Sequence, residues 1–238
     1  MDERSEERPS LLSVVQRLLE RTYRMRSGIA DPGRFVIGDR GLRLFFSVPG
    51  DASIRQVVNS APGSVRGQGA RTLVRQTAEG IRACVYYPDD LIECLERFPP
   101  QRGVGEENVD AFATLVEELD HLLVLADRSR QHRPLTLFEM ELHANVSKHL
   151  VLTRFAAGSR PRLDEATRCW LRHHLFDKVR FCDEDPRVRR RYRDAARWAV
   201  RLIDALPRIE VERRIDTLRR FHHAGTAEKT ELIRRIAA

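Results

Sequence analysis

The sequence predicts an α+β fold that is mostly helical, with a small antiparallel sheet near the N-terminus. Three observations carry this. Apolar residues recur at helical spacing through most of residues 108–237. Two pairs of short β-type runs, each pair joined by a turn containing glycine, lie within residues 34–87. The chain has 238 residues, 42% of them hydrophobic, which suffices for a real core. Residues 1–103 read as a helix plus sheet region and residues 104–238 as a helical region, together one continuous globular domain.

Residues 10–27 read as an amphipathic helix, with Leu11, Val15, Leu18, Leu19 and Tyr23 on one face. Ser10 is its expected N-cap and Gly28 its stop. Arg34–Ile37 and Leu42–Phe46 flank Gly38-Asp39-Arg40-Gly41, a hairpin signal. Residues 49–70 read as a loop with a helical turn near 52–59. A second strand pair, Thr72–Gln76 and Ile81–Tyr87, turns at Ala78-Glu79-Gly80. Pro88 opens a short helix that ends near Phe98, before Pro99-Pro100. Further helices are expected at about 108–128, 136–156, 163–181, 186–206, 208–222 and 226–237 from the same periodicity.

No run of eighteen apolar residues exists, so no transmembrane helix is expected. The first eight residues are charged and lack the apolar core of a signal peptide, which points to a cytoplasmic protein. Cys84, Cys94, Cys169 and Cys182 show no CxxC spacing and read as buried reduced thiols. The net charge is +7, and only Lys148, Lys178 and Lys229 among the basic residues are lysines. Such a balance suits an anionic partner.

The residues richest in chemistry are Glu117-Glu118-Leu119-Asp120-His121, with Glu141 twenty residues on. On an ideal helix starting at Val109, the apolar stripe centres near about 280°, while Glu117 and His121 fall near about 80° and 120°. They share a face opposite the stripe, which a solvent face or a cleft wall would produce equally. The next helix differs, because its apolar residues point almost everywhere around it. A helix of that kind is buried. It carries Glu139, Glu141, His143, Asn145, Lys148 and His149, and buried charges need ion, metal or hydrogen-bond partners. If the two helices form an antiparallel hairpin, His121 and Glu141 fall at similar heights. A pairing of Glu139 with His143 on one helix is a weaker alternative.

Glu117-Glu118-Leu119-Asp120-His121 stands in the register of HExxH and so resembles the motif helix of the zincin metallopeptidases with a glutamate third ligand. His121 matches the second histidine, Glu118 the catalytic glutamate and Glu141 the downstream glutamate. Glu117 stands where the first histidine would be. The resemblance implies a metal held by Glu117, His121 and Glu141, with Glu118 taking a proton from water. Two carboxylates with one imidazole would admit zinc, manganese or iron. The implied function is a metal-dependent hydrolase or a degenerate relative. A solvated or salt-bridged helix face would show the same residues.

The competing function is a non-enzymatic interaction protein. Residues 186–206 form an amphipathic helix whose polar face carries Arg190, Arg193, Arg197 and Arg201. Like charges at i,i+4 repel, and an acidic protein or nucleic acid would relieve them. His173-His174 and His222-His223 diverge around their helices and read as surface or boundary residues. No nucleic-acid fold signature, phosphate loop or nucleophile elbow is present.

Overall fold

The computed structural model describes residues 9–47, 54–56, 69–77, 80–180 and 184–238. The architecture is α+β and mostly helical. Helix α1 (Leu11–Tyr23) starts at Ser10, whose side chain accepts from the backbone N–H of Ser13. It ends at Arg24 in the left-handed conformation (φ 56°), four residues before the expected Gly28 stop.

The sheet has four strands in the order β1-β4-β3-β2. Strands β3 (Arg71–Thr77) and β4 (Gly80–Tyr86) are the expected antiparallel pair. Ala78 and Glu79 of their turn lie outside the described residues. Strand β1 (Val36–Ile37) pairs parallel with β4, and β2 (Ile54–Gln56) pairs antiparallel with β3. The first hairpin expectation is corrected, because Asp39–Ser47 forms helix α2. Its N-terminus is held by Asp89, which accepts from the backbone N–H of Asp39. Leu42 and Phe45, three apart, pack with Leu73 and Tyr86, whereas Leu44 and Phe46 are exposed. A strand would have put Leu42, Leu44 and Phe46 on one side. The helical turn expected near 52–59 is likewise a strand over its described part.

Helix α3 (Asp89–Arg97) follows Pro88. Helices α4 (Val109–Arg130) and α5 (Leu137–Ala157) form the centre. They run antiparallel, as the contacts Asp120–His143 and Glu117–Lys148 require. α5 opens with a capping box of Thr136 and Glu139. The helix expected at 163–181 is α6 (Glu165–Arg172) continued by a π-helical turn, His173–Asp177. Then come α7 (Pro186–Ala205), α8 (Val211–His223) and α9 (Thr226–Ala237).

Packing explains the central pair. Strands β3 and β4 and helices α1 and α3 lie against α4, while α7 and α6 cover α5, and α9 packs on α7. Every residue from Leu115 to Val124 and from Glu139 to Lys148 is buried. One apolar cluster joins Val15, Leu19 and Tyr23 of α1, Val85 of β4 and the helices through Ile233. Among the described residues no helix is long and apolar enough to cross a membrane.

Candidate metal centre

Helix α4 places Glu117 and His121 one turn apart on the side facing α5. Glu141 comes from the first turns of α5. One ligand atom from each of the three lies within 4.8 Å of the others. All three are buried, His121 completely. The face opposite the apolar stripe is therefore an interior face. Burial removes the solvated form of the alternative, while its salt-bridged form stands, with Glu117 beside Lys148 and His121 beside Glu118.

The polar accounting is incomplete in an informative way. Glu117 accepts from Lys148 Nζ at 2.7 Å. Both carboxylate oxygens of Glu141 and both ring nitrogens of His121 are buried and lack a hydrogen-bond partner. Buried polar groups are rarely left so. Burial opposes the charged imidazole, but Glu118, then Glu141 and Glu117, hold the His121 pKa up at about 9. Burial pushes Glu141 up to about 8; His121 draws it down, and Glu117 and Glu118 add to the rise. Both groups are thus held in their protonated forms at neutral pH, His121 by its carboxylate neighbours and Glu141 by burial.

Glu118 occupies a different place from its helix neighbours. Its Oε2 accepts from the Thr72 hydroxyl at 2.8 Å. The same oxygen stands 3.6 Å from His121 Nδ1, an ion-pair distance rather than a hydrogen bond. It is fully buried. A cavity of about 20 Å³ reaches the site, lined by Glu117, Glu141, Asn145, Lys148, Phe176 and Tyr192 among others. Neither His121 nor Glu118 is part of that lining. Such a volume holds one ion or one water.

Sequence reasoning missed a second buried cluster alongside. His143 Nδ1 lies 2.8 Å from Asp120 Oδ2. His143 Nε2 meets His222 Nδ1 at 3.0 Å, and His222 Nε2 meets Asp127 Oδ2 at 3.1 Å. Tyr23 packs tilted against His143 with ring centroids 4.3 Å apart, and its hydroxyl contacts Ser147. Lys229, buried, donates to the carbonyls of Phe221, His222 and Ala224. The expected surface placement of the His222-His223 pair is corrected for His222, which is fully buried. Glu139 does not pair with His143; it caps α5 and accepts from Thr226. The available signal was α5 itself, since a buried histidine on an all-apolar helix demands a partner.

On α7, Arg190, Arg193, Arg197 and Arg201 are all exposed. Arg190 pairs with Asp194, and Arg201 lies over the Trp198 ring. Arg193 and Arg197 line shallow grooves with Asp194. Among the described cysteines, Cys84, Cys94 and Cys169 are free; Cys84 and Cys94 are partly buried and Cys169 is exposed. Cys182 lies outside the described residues.

The chain matches no family model, no curated protein and no solved structure. Geometry and chemistry alone carry the functional reading.

Proposed function

We propose that this chain is a metal-binding protein, with one divalent ion held between α4 and α5 by Glu117, His121 and Glu141. The observation that carries the reading is the convergence of buried donors that lack hydrogen bonds: both oxygens of Glu141 and the Nε2 of His121, whose Nδ1 faces Glu118 at ion-pair distance. A divalent ion would take the place of the protons that His121 and Glu141 carry at neutral pH, beside the Glu117–Lys148 pair. Two carboxylates and one imidazole suit manganese or iron, and zinc is also compatible.

Glu118 serves in this reading as the carboxylate that orients the His121 ring, with Thr72 fixing Glu118 in turn. The cavity leaves no room for an organic substrate beside the ion. The ion's role is accordingly to join α4 and α5. The Lewis acidity a bound ion would supply is screened from substrate, so the hydrolase suggested by the zincin resemblance is the weaker form of the idea.

Elemental analysis of protein purified without a histidine tag tests this. Near-stoichiometric manganese, iron or zinc is expected, together with a higher Tm on adding that metal back after chelation. Protein that carries none of the three and whose Tm is unmoved by all of them sinks the proposal.

A second reading rests on Arg193 and Arg197, exposed and, among the described residues, in no ion pair. It makes α7 a docking face for an acidic protein or nucleic acid. Salt-sensitive binding of an oligonucleotide that survives Arg193→Ala with Arg197→Ala removes it.

A further inference from the structure

A cleft of about 1170 Å³ lies between the C-terminal half of α5, α6 with its π-helical turn, and the end of α7. It shares the Phe176 wall with the small metal-site cavity but none of the proposed ligands. Seven arginines and two carboxylates, Glu165 and Asp204, line it. The arginines are not equivalent. Arg168 pairs with Glu165, Arg172 with Asp204 and Arg160 with Asp164. Arg154 and Arg214 donate to backbone carbonyls, which leaves their charge uncompensated. Arg162 and Arg208 are exposed and, among the described residues, have neither a carboxylate nor a hydrogen-bond partner. Four positive charges therefore face one cleft without a counter-charge.

The walls between the arginines are apolar, formed by Leu150, Leu163, Phe176, Ile203 and Pro207. Two further polar atoms lie in the same lining, one turn apart on α5. His149 Nδ1 and Thr153 Oγ1 are buried and unpartnered. Burial pushes the His149 pKa down to about 4, so the ring is neutral and can donate or accept without adding charge. Uncompensated guanidiniums, apolar side chains and unmet hydrogen bonds in one lining describe a site for a ligand of mixed character. Guanidinium forks match phosphate and carboxylate oxygens.

We propose that this cleft binds an organic anion, a phosphate or carboxylate head carried on an apolar body, with Arg162 and Arg208 holding the head. The proposal does not depend on the metal centre. Its volume is that of a site for a whole small molecule rather than an ion. The same head-and-body chemistry occurs in soluble metabolites and in lipids, and the test separates them.

Titration calorimetry with octyl phosphate, inorganic phosphate and octanol is the experiment. Octyl phosphate is expected to bind saturably at one site, at least about tenfold tighter than either fragment, because it uses head and walls together. Arg162→Ala with Arg208→Ala should weaken it about a hundredfold, at about tenfold for each charge-assisted contact. Both side chains are exposed and, among the described residues, unpaired, so the double variant should keep its Tm. Arg17→Ala, an exposed arginine outside the cleft, should bind as the parent does. A second set of runs adds vesicles containing phosphatidic acid. Sedimentation with vesicles that octyl phosphate competes away identifies a lipid as the source, and its absence identifies a soluble anion. Inorganic phosphate binding as tightly as octyl phosphate, no saturable octyl phosphate binding, or binding indifferent to the double substitution overturns the proposal.

Discussion

His143 Nε2 lies 3.0 Å from His222 Nδ1, and each ring's other nitrogen meets a buried carboxylate, Asp120 on one side and Asp127 on the other. Two neutral imidazoles bring two ring protons to these three junctions. One junction therefore holds no proton unless the pair is charged. Burial depresses both histidines against the pull of the two carboxylates, and Lys229 adds to the depression. The chain ties α4, α5 and α8 together in one polar seam through the core.

Acid should loosen this seam. Burial pushes His222 of the seam down to about 4, and His149 in the wall of the separate cleft likewise. An unfolded imidazole titrates near about 6.5, so the unfolded chain binds more protons between these values. Stability present above about pH 6.5 is then lost as pH falls toward about 4, by up to about 3 kcal/mol for each histidine. Urea denaturation across that range should show the fall, and His222→Gln should flatten its slope by about one proton. An unchanged slope in the variant would place the titration elsewhere.

Metal binding should release protons. His121 is held up at about 9 and Glu141 at about 8, so both are protonated at pH 7 in the metal-free protein. A metal needs both deprotonated. Affinity should rise by about a hundredfold per pH unit below about pH 8 and level off above about pH 9. Calorimetry at pH 7 in buffers of different ionisation enthalpy should report about two protons released. A heat of binding independent of buffer contradicts this ligand set.

Glu141→Gln separates metal binding from folding. At pH 7 the metal-free carboxyl is protonated, and a neutral amide of similar size replaces it. Metal-free Tm should move by no more than the equivalent of about 1 kcal/mol. The Tm rise on adding metal should vanish. Retention of that rise would exclude Glu141 as a ligand.

Lys148→Met should act in opposite directions on the two states. Lys148 Nζ sits 2.7 Å from Glu117 Oε2, and both groups are largely buried. Removing the ammonium leaves Glu117 uncompensated, a cost of about 3 kcal/mol or more without metal. The same change removes a cation competing for a proposed ligand. Metal affinity should therefore rise while metal-free Tm falls, which paired titration and melting curves can read. A fall in both would make Lys148 a support of the site rather than its rival.

Much of the helical layout was legible because helical periodicity and caps are local. Ser10 caps α1 where its side chain indicated, and Thr136 and Asp185 cap α5 and α7. The 42–46 run was misread because five apolar or basic residues beside a glycine turn satisfy either period. The contact of Leu42 and Phe45 with Leu73 and Tyr86 selects the helix. The convergence of Glu117, His121 and Glu141 was suggested by spacing and hairpin height alone. Asp120 was given no partner and His222 a surface place, and Asp127 was not singled out, because the contacts that join them span up to 95 residues.

The sequence by itself determined that α5 is buried and that its charges need partners, since its apolar residues leave no side for water. It also determined the single turn that puts Glu117 and His121 on one face. Tertiary structure decided what that face meets. The sheet on one side of α4 and α5 on the other turn a surface-like pattern into an interior. It also decided that His143 meets Asp120 rather than Glu139, and that Glu118 turns to Thr72. Helical periodicity sets directions within one element, and the partner in each direction depends on long-range packing that no local pattern encodes.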